Sequence, residues 1–543
     1  MGNGMLSFLI CLLSFCGFYD FSAAFTGVGI VIDLFLIYKK NTVYKKKYAP
    51  VMFLPSGLFV WAVAVSFWAI DPAENFTGIF RGAVLLLWMY ECSLMAEEQK
   101  ERLFSLIPYL GSGMTVFGGC SLLSDKTAAF FWQARRLGGL FQYPNTYALF
   151  LIAGIIILVQ RAAKGYRNKK EKCGGIANLI LLLLGILLSG SRSMLLLLFA
   201  WGIYKALRVK KLRLPVVISG LALALVAGGY VLLFQDKQNV GRVFTLLESN
   251  STLYGRLLYY ADACEMICVK PFGLGYMGYH YLQPAVQSGV YTTRFVHNDW
   301  LQLLLDYGVV GGVIGGVYVV WQLVKGRQSA WNKELATVIL LASFADFHLQ
   351  YMVMMMLLLL CFDMGSEKEA LKKKQKAENL IFLGGLLAVF VYFAVPFLAQ
   401  YTGNSKTAVT FLESYTPAQV SVMSTCTDKE EAVALADKIL EHNPFVLEAR
   451  QVKVYGAMMD GDSDGIIQNM DAALQISKYD TELYKQYDLM LAELVSRNRE
   501  AGLFEGADKL ESFRKTLPGR LSGMEETTHP LAFKIRDIPT FSW

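Results

Sequence analysis

Apolar stretches long enough to cross a bilayer, about 20 residues each, recur along the first 400 positions of this chain between short polar connections. Such a pattern predicts an all-α, polytopic membrane domain. The predicted spans number thirteen and lie near residues 4–19, 21–38, 49–70, 75–96, 102–122, 143–163, 174–189, 193–207, 214–234, 299–324, 334–349, 350–364 and 379–400. The first stretch lacks a basic region and a small-residue cleavage site, which favours a span over a signal peptide.

Basic residues are concentrated in every second connection between these spans. The clusters lie at residues 39–47, 97–102, 161–172, 205–213, 325–333 and 367–376. Because Lys and Arg are retained on the cytoplasmic side, this alternation predicts a cytoplasmic N-terminus. Thirteen spans then place the C-terminal segment and a large loop, residues 235–298, on the extracytoplasmic side.

The hydropathy drops after the last predicted span. We therefore expect two domains, a transmembrane domain of residues 1–400 and an extracytoplasmic α-helical domain of residues 401–543. The second contains two amphipathic helix pairs offset by about 35 residues, near the tetratricopeptide (TPR) period, although the TPR pattern is only loosely met. Such a tail would bind a protein partner or pack on its own membrane domain.

Composition supports the membrane prediction and excludes other classes. Of 543 residues, 55% are hydrophobic and 17% charged, with a mean hydropathy of +0.40. The net charge of +7 comes from the connecting clusters, so it predicts no nucleic-acid partner. The nine cysteines form no CxxC pair and no Cys/His spacing typical of a metal site, so we expect no cofactor, no metal and no disulfide framework.

Ionisable side chains near apolar spans are the best candidates for function, because at membrane depth they cost several kcal/mol unless they face a cavity or a partner. Arg81 is predicted to lie deep in the fourth span. The others fall at or beyond helix ends on the outer side, and they are Arg135, Arg136, Arg192, Arg256 and His297.

Arg192 lies in SGSRS, a break between two short apolar segments. Ser191, its neighbouring serines and the backbone N–H groups of a helix start would form an anion-binding concavity, and arginine binds phosphate oxygens bidentately. The alternative is a tight hairpin whose arginine reaches the lipid headgroups.

Arg256 belongs to a predicted surface helix that ends at Lys270 and Pro271. The apolar residues at helical spacing in this helix are Leu253, Leu257, Tyr260, Cys264 and Ile267. The following segment, PFGLGYMGYHY, is rich in glycine and tyrosine and is of the kind that lines a sugar groove. A surface helix followed by a flexible lid is the simpler interpretation.

Three histidines are considered for proton transfer. His297 precedes Asn298 and Asp299, which are predicted to cap the tenth span, and capping explains the latter two without explaining the histidine. His297 could accept a proton from a substrate or donate a hydrogen bond to it, or it could be structural. His348 is a second candidate and His280 a weaker third.

Four blocks in this order resemble the O-antigen ligase and O-antigen polymerase superfamily of bacterial membrane glycosyltransferases. They are GGLFQYPNTYALFL (138–151), LLSGSRSMLLL (187–197), GRLLYYADACEMICVKPFGLGYMGY (255–279) and HNDWLQLLLDYGVVGG (297–312). The resemblance covers about residues 50–365, and the last two blocks are the most specific. It implies a GT-C-like membrane fold in the bacterial cytoplasmic membrane. The C-terminal helical tail departs from the family core.

The resemblance also implies an inverting, metal-independent transferase whose donor is a glycan on undecaprenyl diphosphate and whose acceptor is a glycan or lipid-linked glycan. Arg192 and Arg256 are similar to the family arginines that hold the diphosphate, and His297 to the histidine that activates the acceptor hydroxyl. Weaker candidates for substrate binding are Arg136, Asn145, Ser191, Tyr260 and His348.

Other functions stay open on the sequence alone. A flippase for lipid-linked glycans needs polar residues through the membrane thickness and an internal repeat. An inactive scaffold that works through its tail would have a blocked cavity. Within the transferase hypothesis, the sequence does not choose between polymerase, ligase and protein O-glycosyltransferase, nor does it identify the sugar.

Overall fold

A computed structural model describes residues 4–39, 44–46, 50–209, 251–365, 368–370, 373–535 and 537–542. The membrane portion contains α1 Met5–Leu13, α2 Asp20–Tyr38, α3 Leu54–Val65, α4 Pro72–Leu94, α5 Glu97–Cys120, α6 Asp125–Phe131, α7 Pro144–Lys164, α8 Lys169–Ser189, α9 Arg192–Arg208, α10 Ser251–Val269, α11 Gly278–Val286, α12 Asp299–Val324, α13 Ala330–Ala342, α14 Met352–Cys361 and α15 Lys373–Tyr401. The tail contains α16 Ser405–Phe411, α17 Thr416–Thr425, α18 Lys429–His442, α19 Leu447–Asp460, α20 Ser463–Ile476, α21 Thr481–Glu500 and α22 Phe504–Thr527.

Strands are short and form two separate antiparallel pairs within the described residues. In one pair β1 Tyr44–Lys46 faces β4 Lys368–Ala370, and in the other β2 Trp132–Gln133 faces β3 Arg136–Leu137. The chain is therefore an all-α protein, as the sequence predicts.

Apolar helices match the predicted membrane spans. Twelve of the thirteen spans overlap helices, although α1 and α3 cover only part of theirs, and the remaining one, 214–234, lies outside the described residues. In the described part of the chain, six helical segments are long and apolar enough to cross a membrane: Asp20–Tyr38, Glu97–Leu123, Pro144–Lys164, Lys169–Ser189, Asp299–Val324 and Gln375–Tyr401. The protein is thus a polytopic α-helical membrane protein, and the exact number of spans stays a prediction.

The predicted eleventh and twelfth spans are shorter than expected. α13 ends at Ala342 and α14 begins at Met352, so residues 343–351 form a connection with a 3₁₀ turn at His348–Gln350. This connection leaves the helical path because its buried polar side chains, Asp346 and His348, bind groups on other elements.

The helix ends near the later site follow from local sequence. Asn298 caps α12, since its Oδ1 accepts hydrogen bonds from the backbone N–H groups of Trp300 and Leu301 at 3.0 and 3.1 Å. Gly190 separates α8 from α9 with a φ of 57°, a left-handed conformation that glycine adopts without strain. Both sequence-based predictions, the cap and the break, are confirmed.

α7 is the central helix of the membrane core. Its residues from Pro144 to Leu158 are all buried, and it packs against α5 and α8. Near one end of α7, residues 343–351 approach α12, whose Asp299 accepts a hydrogen bond from the Leu349 N–H at 2.9 Å. This packing brings segments distant in the chain to one place.

Arg81 has a structural role in this core. It is buried in α4, and its guanidinium donates to the backbone carbonyls of Gly17, Phe18 and Gln350 at 3.0, 3.2 and 2.5 Å. Those carbonyls belong to the α1–α2 connection and the 343–351 connection. Arg81 therefore ties two irregular segments together through charge-assisted hydrogen bonds.

The tail is built of helix pairs with the predicted repeat spacing. α18 and α20 begin 34 residues apart, as do α19 and α21. A buried apolar cluster joins α19 to α22. Membership of the TPR class and an extracytoplasmic location stay predictions.

The tail contacts the membrane portion at several places, including Asp71 in the α3–α4 connection and Leu258 of α10. Asn443, at the end of α18, donates from Nδ2 to Oδ2 of Asp71 at 2.9 Å, and both side chains are fully buried. At the C-terminal end, Ala532 and Ile535 pack against Leu258 of α10. The tail therefore contacts the helix that contains Arg256.

Candidate functional site

The candidate site is centred on Asp346, a residue that the sequence analysis did not single out. Its carboxylate is 1% exposed. Four side chains from three other parts of the chain contact it, and they are Tyr143, Asn145, Arg256 and His297. The site therefore assembles from the start of α7, from α10, from the segment before α12 and from the 343–351 connection.

His297 contacts Asp346 through its ring. Nδ1 lies 2.8 Å from Oδ1 of the carboxylate, and the side chain is 21% exposed. Among the described residues, no hydrogen bond to Nε2 of His297 is present. A carboxylate at Nδ1 fixes that nitrogen as the proton donor and leaves Nε2 as a proton acceptor.

Arg256 contacts the same carboxylate. Its Nη2 lies 3.2 Å from Oδ2 of Asp346, and its Nη1 donates to the carbonyl of Ala345 at 2.6 Å. The side chain is 19% exposed. The guanidinium is thus held in one orientation while part of it stays accessible.

Asn145 and Arg136 continue the network away from Asp346. Nδ2 of Asn145 donates to Oδ2 of Asp346 at 2.7 Å, and its Oδ1 accepts from Nη2 of Arg136 at 2.8 Å. Nε of Arg136 donates to the carbonyl of Ser189 at 2.8 Å. The network therefore reaches the break between α8 and α9.

Arg192 stands at the first position of α9, three residues beyond Ser189, and is half-buried. Oγ of Ser191, just before it, is buried and has no hydrogen-bond partner within the described residues. An unpaired hydroxyl at a helix N-terminus is a ready donor to an anion. The structure thus connects the Arg192 segment to the Asp346 cluster through Arg136 and Asn145.

His348 lies beside the cluster but is turned inward. It is fully buried, and its Nδ1 lies 2.9 Å from Oγ1 of Thr146, while Nε2 has no partner among the described residues. Burial lowers the pKa of His348 to about 4. A neutral, buried imidazole of this kind has a structural role beside the site.

The cluster favours an ionised Asp346. Burial opposes the charged form of this carboxylate, but the hydrogen bond with His297 and the charge of Arg256 outweigh that effect. His297 and Arg256 hold its pKa well below the usual range. The site therefore keeps a negative charge enclosed by histidine, arginine and amide donors.

Tyr260 also belongs to the site. Its hydroxyl donates to the carbonyl of His297 at 2.5 Å, which joins α10 to the segment before α12. α10 is confirmed over Ser251–Val269, with Leu253 and Leu257 of the predicted stripe exposed. Tyr260 and Ile267 of that stripe pack against a buried cluster, and Leu258 packs against the end of the tail.

The glycine- and tyrosine-rich segment is packed against the rest of the protein and does not line an open groove. Tyr276 and Tyr279 are buried, and the backbone N–H of Leu274 bonds to Leu305 of α12 at 2.7 Å. Gly308 permits this approach, because its φ of 66° interrupts α12 where a Cβ would lie 2.4 Å from the carbonyl oxygen of Pro271. His280 lies in α11, which begins within this segment, and burial lowers its pKa to about 4.

Two contributors were missed by sequence reasoning. Tyr143, whose hydroxyl donates to Asp346 at 2.9 Å, lies in a block already noted for Asn145. Asp346 could have been found by the rule applied to the arginines, since it is the only acidic residue between positions 335 and 362. No group of three or more His, Cys, Asp or Glu side chains that could hold a metal is present in the described part of the chain.

Fold and site together define a polytopic helical membrane protein with a buried carboxylate, a histidine and an arginine gathered at the end of its helices. A sequence model of the O-antigen ligase family matches residues 177–315, which include Arg192, Arg256 and His297. This match confirms the resemblance to the O-antigen ligase and polymerase superfamily and supports a role as a membrane glycan ligase or polymerase. No curated protein matches the chain.

Proposed function

We propose that this protein transfers a glycan from an undecaprenyl-diphosphate donor to a sugar hydroxyl of an acceptor, on the extracytoplasmic face of the bacterial cytoplasmic membrane. The contact between His297 and Asp346 carries the proposal. With Nδ1–H directed to the carboxylate, Nε2 removes the proton from the acceptor hydroxyl as that oxygen attacks the anomeric carbon. Asp346 stabilises the resulting imidazolium.

Arg256 and Arg192 would bind the departing diphosphate. A diphosphate gains negative charge as the glycosidic bond breaks, and arginine N–H groups stabilise that charge without a metal ion. Arg256 is partly exposed beside the carboxylate, and the buried hydroxyl of Ser191 lies next to Arg192. Attack opposite to the leaving diphosphate inverts the anomeric centre in a single displacement.

The flippase hypothesis receives less support from the packing. It needs ionisable groups through the membrane thickness, and the deep arginine considered for it, Arg81, is bound to three backbone carbonyls. The predicted N-in orientation, with the loop and tail outside, suits an extracytoplasmic reaction. The acceptor supplied decides whether the product is a longer polymer or a ligated glycan.

The test is chain growth by purified protein in detergent, with EDTA and an undecaprenyl-diphosphate oligosaccharide as donor and acceptor. We expect growth with the wild type, none with His297→Ala, and normal growth with His280→Ala, which removes a nearby histidine outside the cluster. Growth that persists in His297→Ala would remove the proposed base. Growth that stops with EDTA and returns with a divalent cation would overturn the metal-independent mechanism.

A further inference from the structure

Arg294 is an exposed cation near the candidate site that the proposed reaction does not use. Its guanidinium carbon lies 5.4 Å from the ring centroid of Phe18 and 5.6 Å from that of Phe295. Among the described residues, no hydrogen bond and no ion pair within 4.0 Å is present for Arg294. Its N–H donors are therefore available to a ligand.

Two carboxyl groups, one on α2 and one on α4, face this arginine. Asp20 and Glu74 both interact electrostatically with Arg294. Each is fixed by a tyrosine, since the hydroxyl of Tyr415 donates to Asp20 at 2.8 Å and that of Tyr281 to Glu74 at 3.5 Å. The region around Arg294 thus offers guanidinium donors and carboxyl acceptors without a direct pair between them.

Aromatic rings connect this region to His297. The His297 ring lies 5.1 Å from that of Phe347, which lies 5.6 Å from Phe295, which in turn lies 6.2 Å from Phe18. Arg294 precedes His297 by three residues, so their Cα atoms are at most about 11 Å apart. The region around Arg294 and the proposed base are therefore within the reach of one short oligosaccharide.

The aromatic contacts continue to the end of α15, directly before the tail. Tyr19 lies 5.6 Å from Phe18 and 4.9 Å from Tyr401, the last residue of α15. The hydroxyl of Tyr19 donates to Oε1 of Gln142 at 2.8 Å. Phe18 and Tyr19 are half-buried and Tyr401 is exposed, so these rings present part of their surface outward.

This combination fits a neutral sugar better than an anion. The C–H face of a pyranose packs on an aromatic ring, and its vicinal hydroxyls donate to a carboxylate while accepting from a guanidinium. A phosphate or an acidic sugar would bring negative charge toward Asp20, which disfavours its binding. Diphosphate binding is accordingly assigned to other arginines.

We propose that Arg294, with Glu74 and the ring of Phe18, binds a neutral sugar unit of the acceptor glycan and so presents the acceptor hydroxyl to His297. This proposal rests on the proposed function, because it deepens the acceptor side of the same reaction. Arg294 is a binding residue in this scheme and takes no part in proton transfer.

The first test measures binding in the absence of transfer. The probe is the oligosaccharide repeat released by mild acid from the lipid-linked donor, labelled with a fluorophore and titrated against His297→Ala protein in detergent. Adding Arg294→Gln should weaken binding by about tenfold to a hundredfold, as expected for the loss of hydrogen bonds from a charged donor. Equal binding with and without Arg294→Gln would overturn the proposal.

The matched control is Arg497→Gln, which removes an exposed arginine from the tail helix α21. It should leave binding unchanged, and equal weakening by both variants would also overturn the proposal. Thermal melting of each variant identifies folding defects, and Phe18→Leu provides a second variant that should weaken binding with Arg294 retained. An Arg294-dependent affinity in a protein that shows no transfer would separate sugar recognition from failure of the proposed reaction.

With the active protein, Arg294→Gln should raise the KM for the acceptor about tenfold or more and change the KM for the donor less than twofold. An equal rise in both KM values would place Arg294 with the diphosphate and contradict the acceptor assignment.

Discussion

Nδ1 of His297 lies 2.8 Å from Oδ1 of Asp346, although 49 residues separate them in the chain. The contact depends on packing between the segment before α12 and the connection after α13. It gives the histidine a fixed tautomer and leaves its second nitrogen to meet a substrate. The following predictions concern that contact and the elements that maintain it.

Replacing Asp346 by Asn should lower the transfer rate by about a hundredfold or more, within the range attributed to general base catalysis. The amide cannot stabilise an imidazolium, and its NH₂ group can favour the wrong tautomer of His297. The measurement is the initial rate of chain growth. Asp363→Asn, which changes a carboxylate that accepts from the Arg327 N–H at 2.8 Å, is the control and should retain activity. Normal rates in Asp346→Asn would contradict the proposed pairing.

Asn145→Asp should destabilise the protein more than Asn145→Ala. The aspartate would place a second carboxylate where the Asn145 amide now donates to Asp346 at 2.7 Å, and like charges at that distance repel. Arg136 offsets part of the repulsion, because it already contacts Oδ1 of Asn145 at 2.8 Å. Thermal melting in detergent at pH 7 tests the order of the two variants. A higher melting temperature for Asn145→Asp would show that the network tolerates a second charge.

His348 should make the stability of the protein depend on pH. Its pKa is about 4 in the folded protein, and a free histidine titrates near 6.5. The unfolded chain therefore binds more protons between these values, and stability falls as the pH is lowered from about 6.5 to 4, by up to about 3 kcal/mol.

The measurement is the melting temperature from pH 7 to pH 4.5 for the wild type and His348→Gln. Gln keeps a polar group next to Thr146 and does not titrate, so the variant should lose less stability at low pH. A smaller slope will persist, since burial also lowers the pKa of His280 to about 4. If the melting temperature depended on pH equally in the two proteins, protonation of His348 would not destabilise the folded protein.

Asn443→Ala should loosen the tail from the membrane domain. The substitution leaves Asp71 without one buried hydrogen bond of 2.9 Å, at a cost of about 1–3 kcal/mol. Hydrogen exchange should increase in α18 and at the start of α4. Adding Asp71→Ala should cost less in the Asn443→Ala background than in the wild type, because the partner is already lost. Fully additive effects would show that the two residues do not depend on each other.

The position of the candidate site shows where sequence reasoning succeeded. Arg256 and His297 were singled out because each is an ionisable group beside an apolar segment, and the structure brings both onto Asp346. Asp346 meets the same criterion, but the sequence-based prediction named only the neighbouring His348. The two residues differ in environment, since His348 is turned into the core.

Hydropathy, basic clusters and capping residues act over a few residues to one helix length, so the sequence by itself determined the all-α membrane class, the apolar helices and the break at Gly190. Side-chain direction and long-range packing are not local properties. Long-range packing was therefore needed to show that Arg81 binds backbone carbonyls, that the glycine-rich segment is packed, and that His297 contacts Asp346. A buried charge requires partners wherever the chain brings them, and that requirement is met by residues far apart in sequence.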